Sequence, residues 1–513
     1  MLGDFAAGYN RTTGRVARPC VTVAVEQVNS GDAELALESG WSGQTAERPD
    51  VWAPASSSWV NLLIERSKDK SGLPTGPALS LFKSPLVIGM PKPMADALGY
   101  PKTPVGWKDI FGFVKNPAGW DAIGPRGWGQ FKLGKTNPTI STSGLHALIG
   151  TYLAAAGPGL TTDRVASAPV HDFVAGVEAG VVHYGQTAGD FLRNLRDASD
   201  SGQPLLYVSA VALEEQELVD YNAGVIGGVD LGTPSVSLVA IYPTEGTPVA
   251  DHPYVILNPA KQAAAQDFYG YLARPEQQAV IDARGFRNVG STDRGDVGPS
   301  LSKQMFLDRN QPTLVLQSPN GAVLGAMLSA WQVFRKRARV VILVDAAADS
   351  ALLKDATARL ADAVSKFNPT DSAGLWVFPA PGGYSTPYVV QVPVARVSSD
   401  LNTRLRAIAH TSDRPDLATS LRAAIDSMSA SYDAGAVDAV LLVEMSPGER
   451  TTADRQLEQD LRNQPIQRFV RVFTVGPNGS PSPRLQNFAL AGRGVAYQPG
   501  SASHLLNDVI SNF

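Results

Sequence analysis

The sequence predicts an α/β protein built from two successive modules, on three observations. From residue 20 to about 290, short apolar runs alternate with helical apolar patterns, and strands feed helices through polar loops, as in a parallel or mixed sheet. A polar, Pro/Gly-containing stretch, "GDVGPSLSKQMFLDRNQPT", interrupts the alternation. A second alternation starts at Ala338, fills about 175 residues and reads as a doubly wound sheet, with any site at the carboxyl ends of its strands.

Leu2, Phe5, Ala6 and Tyr9 fall on one face of an opening helix. "CVTVAVEQV" (20–28) alternates as a strand, "DAELALESGW" is a helix ending at Gly40, and "PDVWAP" (49–54) is a short buried strand. Ser56, Ser57 and Ser58 lead into a helix from Trp59 to about Arg66. "SPLVIGMP" (84–91) is a strand between prolines, followed by a helix with Pro93 in its first turn, where proline is favoured. A Gly/Trp-rich stretch (106–129) precedes the strand "FKLGK", and "NPTISTSGLHALIGTYLAAAG" is a polar loop feeding a helix that stops at Gly157. "PLLYVSAV" (204–211), 236–243 and 254–257 read as strands, "TEGTPVADHP" as loop, and 261–273 as a helix followed by another from Pro275. In the second module the strands are 340–344, 374–378, 388–394, 437–443 and 468–475. The helices are near 351–367, 415–430, 452–463 and 501–512.

Composition narrows the function. With 44% hydrophobic and 18% charged residues, each module can bury a core. A formal net charge of −4 over 513 residues argues against nucleic-acid binding, and the run Arg335, Lys336, Arg337, Arg339 reads as a solvated helix end or linker. Cys20 is the single cysteine and the six histidines are scattered, so no metal-type Cys/His spacing exists. No apolar run reaches the ~18 residues of a membrane span, and the N-terminus lacks a signal-peptide layout. No nucleophile elbow, P-loop, zinc-binding helix or dinucleotide fingerprint is present, so a non-enzymatic role is expected.

Two serine-rich turns, "PASSSW" and "STSGL", sit at helix starts, where backbone N–H groups and the helix dipole favour a polar or anionic group. Ser and Thr are also the preferred N-caps, so each turn alone is explained by capping. The Glu214/Glu215 pair at another helix start is explained by the same dipole.

The segments "PDVWAPASSSW", "SPLVIGMPKPMADALGY", "NPTISTSGLHAL", "YPTEGTPVADHPYVI" and "FYGYLARPEQQAVIDARGFR" resemble, in order, those of bacterial extracytoplasmic solute-binding proteins. The similar type is the two-lobed periplasmic-binding-protein class (type 2) that includes molybdate and sulfate binders. The resemblance implies one lobe from about 1–82 and 244–292, and a second from about 83–243. A small-solute cleft between them would be lined by Ser56, Ser57, Ser58, Ser141, Thr142, Ser143, Gly144, Thr244 and Glu245. Glu245 would repel an oxyanion and leaves room for a neutral or cationic solute. Members of this family begin with an export signal and a strand. The expectation is that both precede residue 1, with an extracytoplasmic location and membrane association through that segment.

After a connector (293–337), residues 338–513 resemble a von Willebrand factor type A (VWA) domain through "ARVVILVD", "VDAVLLVEMS" and "SHLLNDVISNF". That family binds Mg²⁺ through D-x-S-x-S, a threonine and an aspartate, oxygen ligands suited to a hard cation. Here Asp345 matches the first position, but Ala347, Asp349, Pro415 and Met445 occupy the others. The implied site is degenerate, with no cofactor and any protein partner of 338–513 bound without metal. The leading reading is an envelope binding protein that joins a solute-binding-like module to an interaction module; the alternative is the substrate receptor of an ABC-type transporter.

Overall fold

The strand Ser84–Pro91 is buried at all eight positions, as expected for a run covered on both faces. It is the central strand of the first of two structural units in the computed structural model. The structure describes residues 1–13, 21–41, 47–68, 70, 73–74, 78–290, 292–301, 306–365, 367–380, 385–413, 415–446, 448–477 and 482–497. Cys20 and the helix expected at 501–512 lie outside them. One unit comprises 1–181 and 185–334, the other 182–184 and 335–513.

The strands of the first unit are β1 (Val51–Trp52), β2 (Leu79–Ser80), β3 (Ser84–Pro91), β4 (Leu133–Thr136), β5 (Val181–Gly185) and β6 (Ala210–Glu214). They continue as β7 (Val225–Ile226), β8 (Val229–Asp230), β9 (Leu238–Ile241), β10 (Thr247–Ala250), β11 (Pro253–Ile256) and β12 (Val315–Leu316). A small antiparallel sheet runs β1-β11-β2, and a larger mixed sheet runs β12-β10-β3-β6-β4-β5, with β9 also on β3. β9 and β10 follow one another along the same strand, pairing with Ile88–Pro91 and Ser84–Pro85 respectively. Phe5, Ala6 and Tyr9 of the opening helix (Leu2–Thr13) pack with Phe82, Tyr254, Phe268 and Leu272 behind the small sheet.

The stretch expected to be a connector belongs to this unit. β12 pairs in parallel with β10, and the helix Gly321–Phe334 packs on helices Ser57–Arg66, Thr142–Ala156 and Ala168–Glu178. The helices can close up because position 321 has no side chain: a Cβ there would lie 2.3 Å from the Asn61 carbonyl oxygen.

Other differences from the sequence reading have local causes. Val21–Val28 alternates but forms no strand; Asn10 brackets it instead, donating to the Val23 carbonyl and accepting from the Val23 N–H, both at 2.9 Å. Pro204–Tyr207 is a helical turn, proline starting it at a favoured position, and the strand begins only at Ala210. β10, read as loop, contains Pro248 and follows Gly246 at φ +106°.

The second unit adds β13 (Arg337–Asp345), β14 (Ser372–Phe378), β15 (Val389–Arg396), β16 (Ala436–Val443), β17 (Arg471–Val475) and β18 (Arg493–Tyr497). Their order is β15-β14-β13-β16-β17-β18, parallel except for β15 at the edge, which in chain order is 3-2-1-4-5-6. β13 shows why the sheet is doubly wound. Val340, Ile342 and Val344 face one core with Leu353, Leu360 and Leu401, whereas Val341 and Leu343 face another with Leu421, Leu457 and Phe488. β18 and the helix before it, Pro483–Ala491, escape the sequence reading because "RGVAY" is short and half-polar.

Candidate functional site

Both serine turns start helices, as their residue types require. Ser56 caps Ser57–Arg66, its hydroxyl accepting from the Ser58 N–H at 3.1 Å. Ser141 precedes Thr142–Ala156, and its hydroxyl accepts from Thr136 Oγ1 at 2.9 Å.

The structure brings the two turns together. His146 Nε2 meets Ser56 Oγ at 2.9 Å, and Trp59 Nε1 donates to Thr142 Oγ1 at 2.8 Å. Ser56, Ser58, Thr142, Ser143 and Gly144 are buried, and Ser57 and Ser141 are half-buried. Their hydroxyls bond within the chain. Ser58 Oγ lies 2.8 Å from Ser318 Oγ, and Ser143 Oγ donates to Glu217 Oε2 at 3.1 Å. Gly144 serves packing, since a Cβ there would lie 2.4 Å from the Thr136 carbonyl oxygen.

At two helix starts the chain supplies its own anion. The Ser57 N–H donates to Asp251 Oδ1 at 2.7 Å, and the Ser57 hydroxyl donates to Asp251 Oδ2. Glu245 takes the same part elsewhere: its two oxygens accept the N–H groups of Trp107 and Lys108, each at 3.0 Å, at the start of helix Trp107–Lys115. Exposed Thr244 donates to the same carboxylate at 3.2 Å. Thr244 and Glu245 are therefore engaged at that helix, apart from the bonds that join the serine turns. Asp251 and Glu245 bracket β10, so the two ends of one strand bring both carboxylates.

Beneath the serine turns lies a buried ionisable cluster. Glu214 caps helix Glu215–Ala223, and Glu217 Oε2 accepts the Glu214 N–H at 3.1 Å. Burial pushes both carboxyls up to about 8. His252 Nε2 is 3.6 Å from Glu214 Oε2. Burial pushes His252 down to about 4 and His146 down to about 3, the latter with a further push from His252. Glu215 turns away to an ion pair with Arg287, whose Nε and Nη2 donate at 2.9 and 2.6 Å, both side chains 1% exposed.

These shifts define a pH profile. A carboxyl raised in the folded chain binds its proton more tightly there, so stability falls as pH rises from about 4.5 to about 8. A histidine lowered in the folded chain acts oppositely, and stability falls as pH drops below its ordinary 6.5. Among these four groups the effects oppose one another between about 4.5 and 6.5, and from 6.5 to 8 only the two glutamates contribute. Denaturant titrations should show stability declining from pH 6.5 to 8 in the intact chain and a flattened slope in E214Q/E217Q. An unchanged slope would contradict the assignment.

A shallow groove of about 410 Å³, lined by Ser80, Tyr269, Leu272, Pro275, Gln278 and Asn288 among others, touches none of the nine expected ligand residues. Asp251, His252, His146 and Glu217 were missed by sequence reasoning. The local signal was the acid and histidine in "ADHP", at the end of the stretch read as loop.

In the second unit, Asp345 Oδ1 accepts the Ala347 N–H at 2.8 Å. Asp349 caps helix Ser350–Val364, accepting from the Ala351 and Leu352 N–H groups at 2.9 and 3.2 Å. Met445 is buried and Pro415 exposed. Among the described residues, no group of three His, Cys, Asp or Glu side chains could hold a metal ion, and none of their helices is long and apolar enough to cross a membrane.

A family model described as bacterial extracellular solute-binding protein matches residues 1–287, more than half of the chain. The chain belongs to the bacterial extracellular solute-binding protein family. This solute-binding-family chain is 24% identical over 480 residues to an uncharacterized protein of Mycobacterium tuberculosis, found in two strains, covering 89% of this chain and 66% of the relative. It thus spans just under two thirds of the length of those relatives. Among solved structures, it is similar to the periplasmic binding protein AfuA from Actinobacillus pleuropneumoniae (14% identity, TM-score 0.41, 64% of this chain and 92% of that one). It is also similar to a periplasmic thiamin binding protein (13%, TM-score 0.41, 65% and 93%). A von Willebrand factor type A protein from Catenulispora acidiphila is similar at 12% identity and TM-score 0.27, over 34% of this chain and 42% of that one. The family match covers the first module, and a doubly wound sheet follows it, as the sequence reading expected.

Proposed function

We propose that this solute-binding-family protein is a non-enzymatic binding protein of the cell envelope whose cleft is filled by its own side chains. In this reading it works by engaging a protein partner through residues 338–513. The carrying observation is Asp251, whose carboxylate lies on the backbone N–H and hydroxyl of Ser57, the groups that would otherwise receive a solute's polar head. The bonds of Ser56, Ser58, Thr142 and Ser143 within the chain support the same reading. So does the helix Gly321–Phe334, which packs on Ser57–Arg66 and on Thr142–Ala156, the helices that the two serine turns start, and so holds the turns together. In residues 338–513 the VWA-type metal site is degenerate: Ala347, Pro415 and Met445 offer no side-chain oxygen, and Asp345 and Asp349 bind backbone N–H groups.

The second reading is a transporter's substrate receptor, favoured by membership of the family itself. Thermal unfolding of the intact chain with sulfate, phosphate, molybdate and simple sugars separates the two. The proposal expects no shift. Stabilisation by any one of them, about 2.7 kcal/mol at 100 times its dissociation constant, would favour the receptor.

Loss of the internal carboxylate should be felt directly. D251N removes a charged acceptor and is expected to cost about 1.5–3 kcal/mol, the range for hydrogen bonds to charged groups. Urea denaturation followed by tryptophan fluorescence reads the first unit, because Trp376 is the only tryptophan outside it.

A further inference from the structure

We propose that Arg484 is the built-in cation of the second unit, supplying from a side chain the positive charge that a divalent ion would bring to the carboxyl end of the sheet. Three elements converge on its guanidinium. Glu444 follows β16 and is 2% exposed, Asp454 lies in the first turn of helix Thr452–Arg462 and is 0% exposed, and Arg484 opens helix Pro483–Ala491 and is 9% exposed. Arg484 Nη1 donates to Glu444 Oε1 at 2.8 Å, Nη2 donates to Asp454 Oδ1 at 3.0 Å, and Nε lies 3.0 Å from Asp454 Oδ2.

Arginine suits this place because its planar fork meets two carboxylates at fixed angles and stays charged. Asp454 also accepts the Thr451 N–H at 2.7 Å, so the clamp holds the entry to its helix. The charge reaches further than the bonds. Burial pushes Glu444 up to about 7, and Arg484 gives the largest pull back; Asp345 is also raised by burial and pulled back by the Ala347 N–H, Arg484 and His410. Arg484 is thus the positive group shared by the end of β16 and the start of helix Thr452–Arg462. A domain arranged this way holds the end of β16 and the starts of helices Thr452–Arg462 and Pro483–Ala491 in place whether or not a divalent ion is present.

The test uses the full chain and Mn²⁺ alone as the probe, with melting followed by differential scanning calorimetry and the second unit followed by amide exchange in β13 and β16. The intact protein should show no change in melting with Mn²⁺ or EDTA, and no Mn²⁺ binding by electron paramagnetic resonance. R484M, left with buried uncompensated carboxyls, should melt roughly 6–12 °C lower, and Mn²⁺ should restore part of the loss. R484K keeps a positive charge and should recover most of the stability while staying indifferent to Mn²⁺. Tight Mn²⁺ binding by the intact chain, an R484M variant of undiminished stability, or a loss that Mn²⁺ leaves untouched would each overturn the proposal. Should R484M fail to fold, R484K decides: it must fold and ignore Mn²⁺, and a lysine variant stabilised by Mn²⁺ contradicts the assignment.

Discussion

Replacing Arg287 with alanine is expected to destabilise the first unit by about 3–5 kcal/mol, because it leaves Glu215 charged, buried and without its counter-ion. The pair ties helix Glu215–Ala223, which follows β6, to the chain just beyond helix Pro275–Ala283. Tyr242 also donates to Glu215, and Arg287 Nη1 donates to the Gln311 carbonyl at 2.7 Å, so one guanidinium anchors three segments. The double replacement E215L/R287M removes both charges and should cost less than R287A, since an apolar pair strands no buried charge. Urea denaturation checks both variants. A double variant as unstable as R287A would show that the loss comes from packing rather than from an unpaired carboxylate.

The second large effect belongs to the helix Gly321–Phe334. Leu324 is fully buried there, alongside Val323, Met327 and Leu328. L324A removes a branched side chain from a closely packed site and is expected to cost about 2–5 kcal/mol, depending on how far the cavity collapses. If the helix holds Ser57–Arg66 and Thr142–Ala156 together, the variant should do more than unfold sooner. Amide exchange should rise in Ser57–Arg66 and Thr142–Ala156, the helices it packs on. Stability lost with unchanged protection in those helices would mean that Gly321–Phe334 is an appendage, with the closed arrangement maintained by the side-chain bonds alone.

Much of the fold is legible in local pattern. The alternation Val340 to Val344 announces a strand between two cores, and two cores are found. Ser56 and Gly157 bound helices because a hydroxyl caps a start and glycine tolerates φ +73° at an end. Where partners are distant in sequence, local pattern fails. Val21–Val28 has a strand's alternation, but a strand also needs a neighbour to pair with. The stretch near 315–334 reads as a connector because neither β12 nor the helix after it reveals in sequence that it docks on the first unit.

The candidate site shows the same division. That Ser56–Ser58 and Ser141–Ser143 stand at helix starts follows from their residue types. What those starts hold does not, because Asp251 lies 194 residues from Ser57 and Glu245 lies 138 from Trp107. Arg484 is similarly 40 residues from Glu444. The sequence reading singled out two features, hydroxyls at two helix starts and Asp345 beside alanines. The side chains bonded near them become apparent only when the chain is folded.

The claim that the cleft is occupied from within is tested most directly by calorimetric titration of sulfate into the intact chain and into D251A. The intact chain should give no saturable heat, because the Ser57 donors are already bonded to a carboxylate. D251A, with those donors released at a helix start, should bind sulfate saturably. Saturable binding by the intact chain, at an affinity that D251A does not improve, would contradict the account.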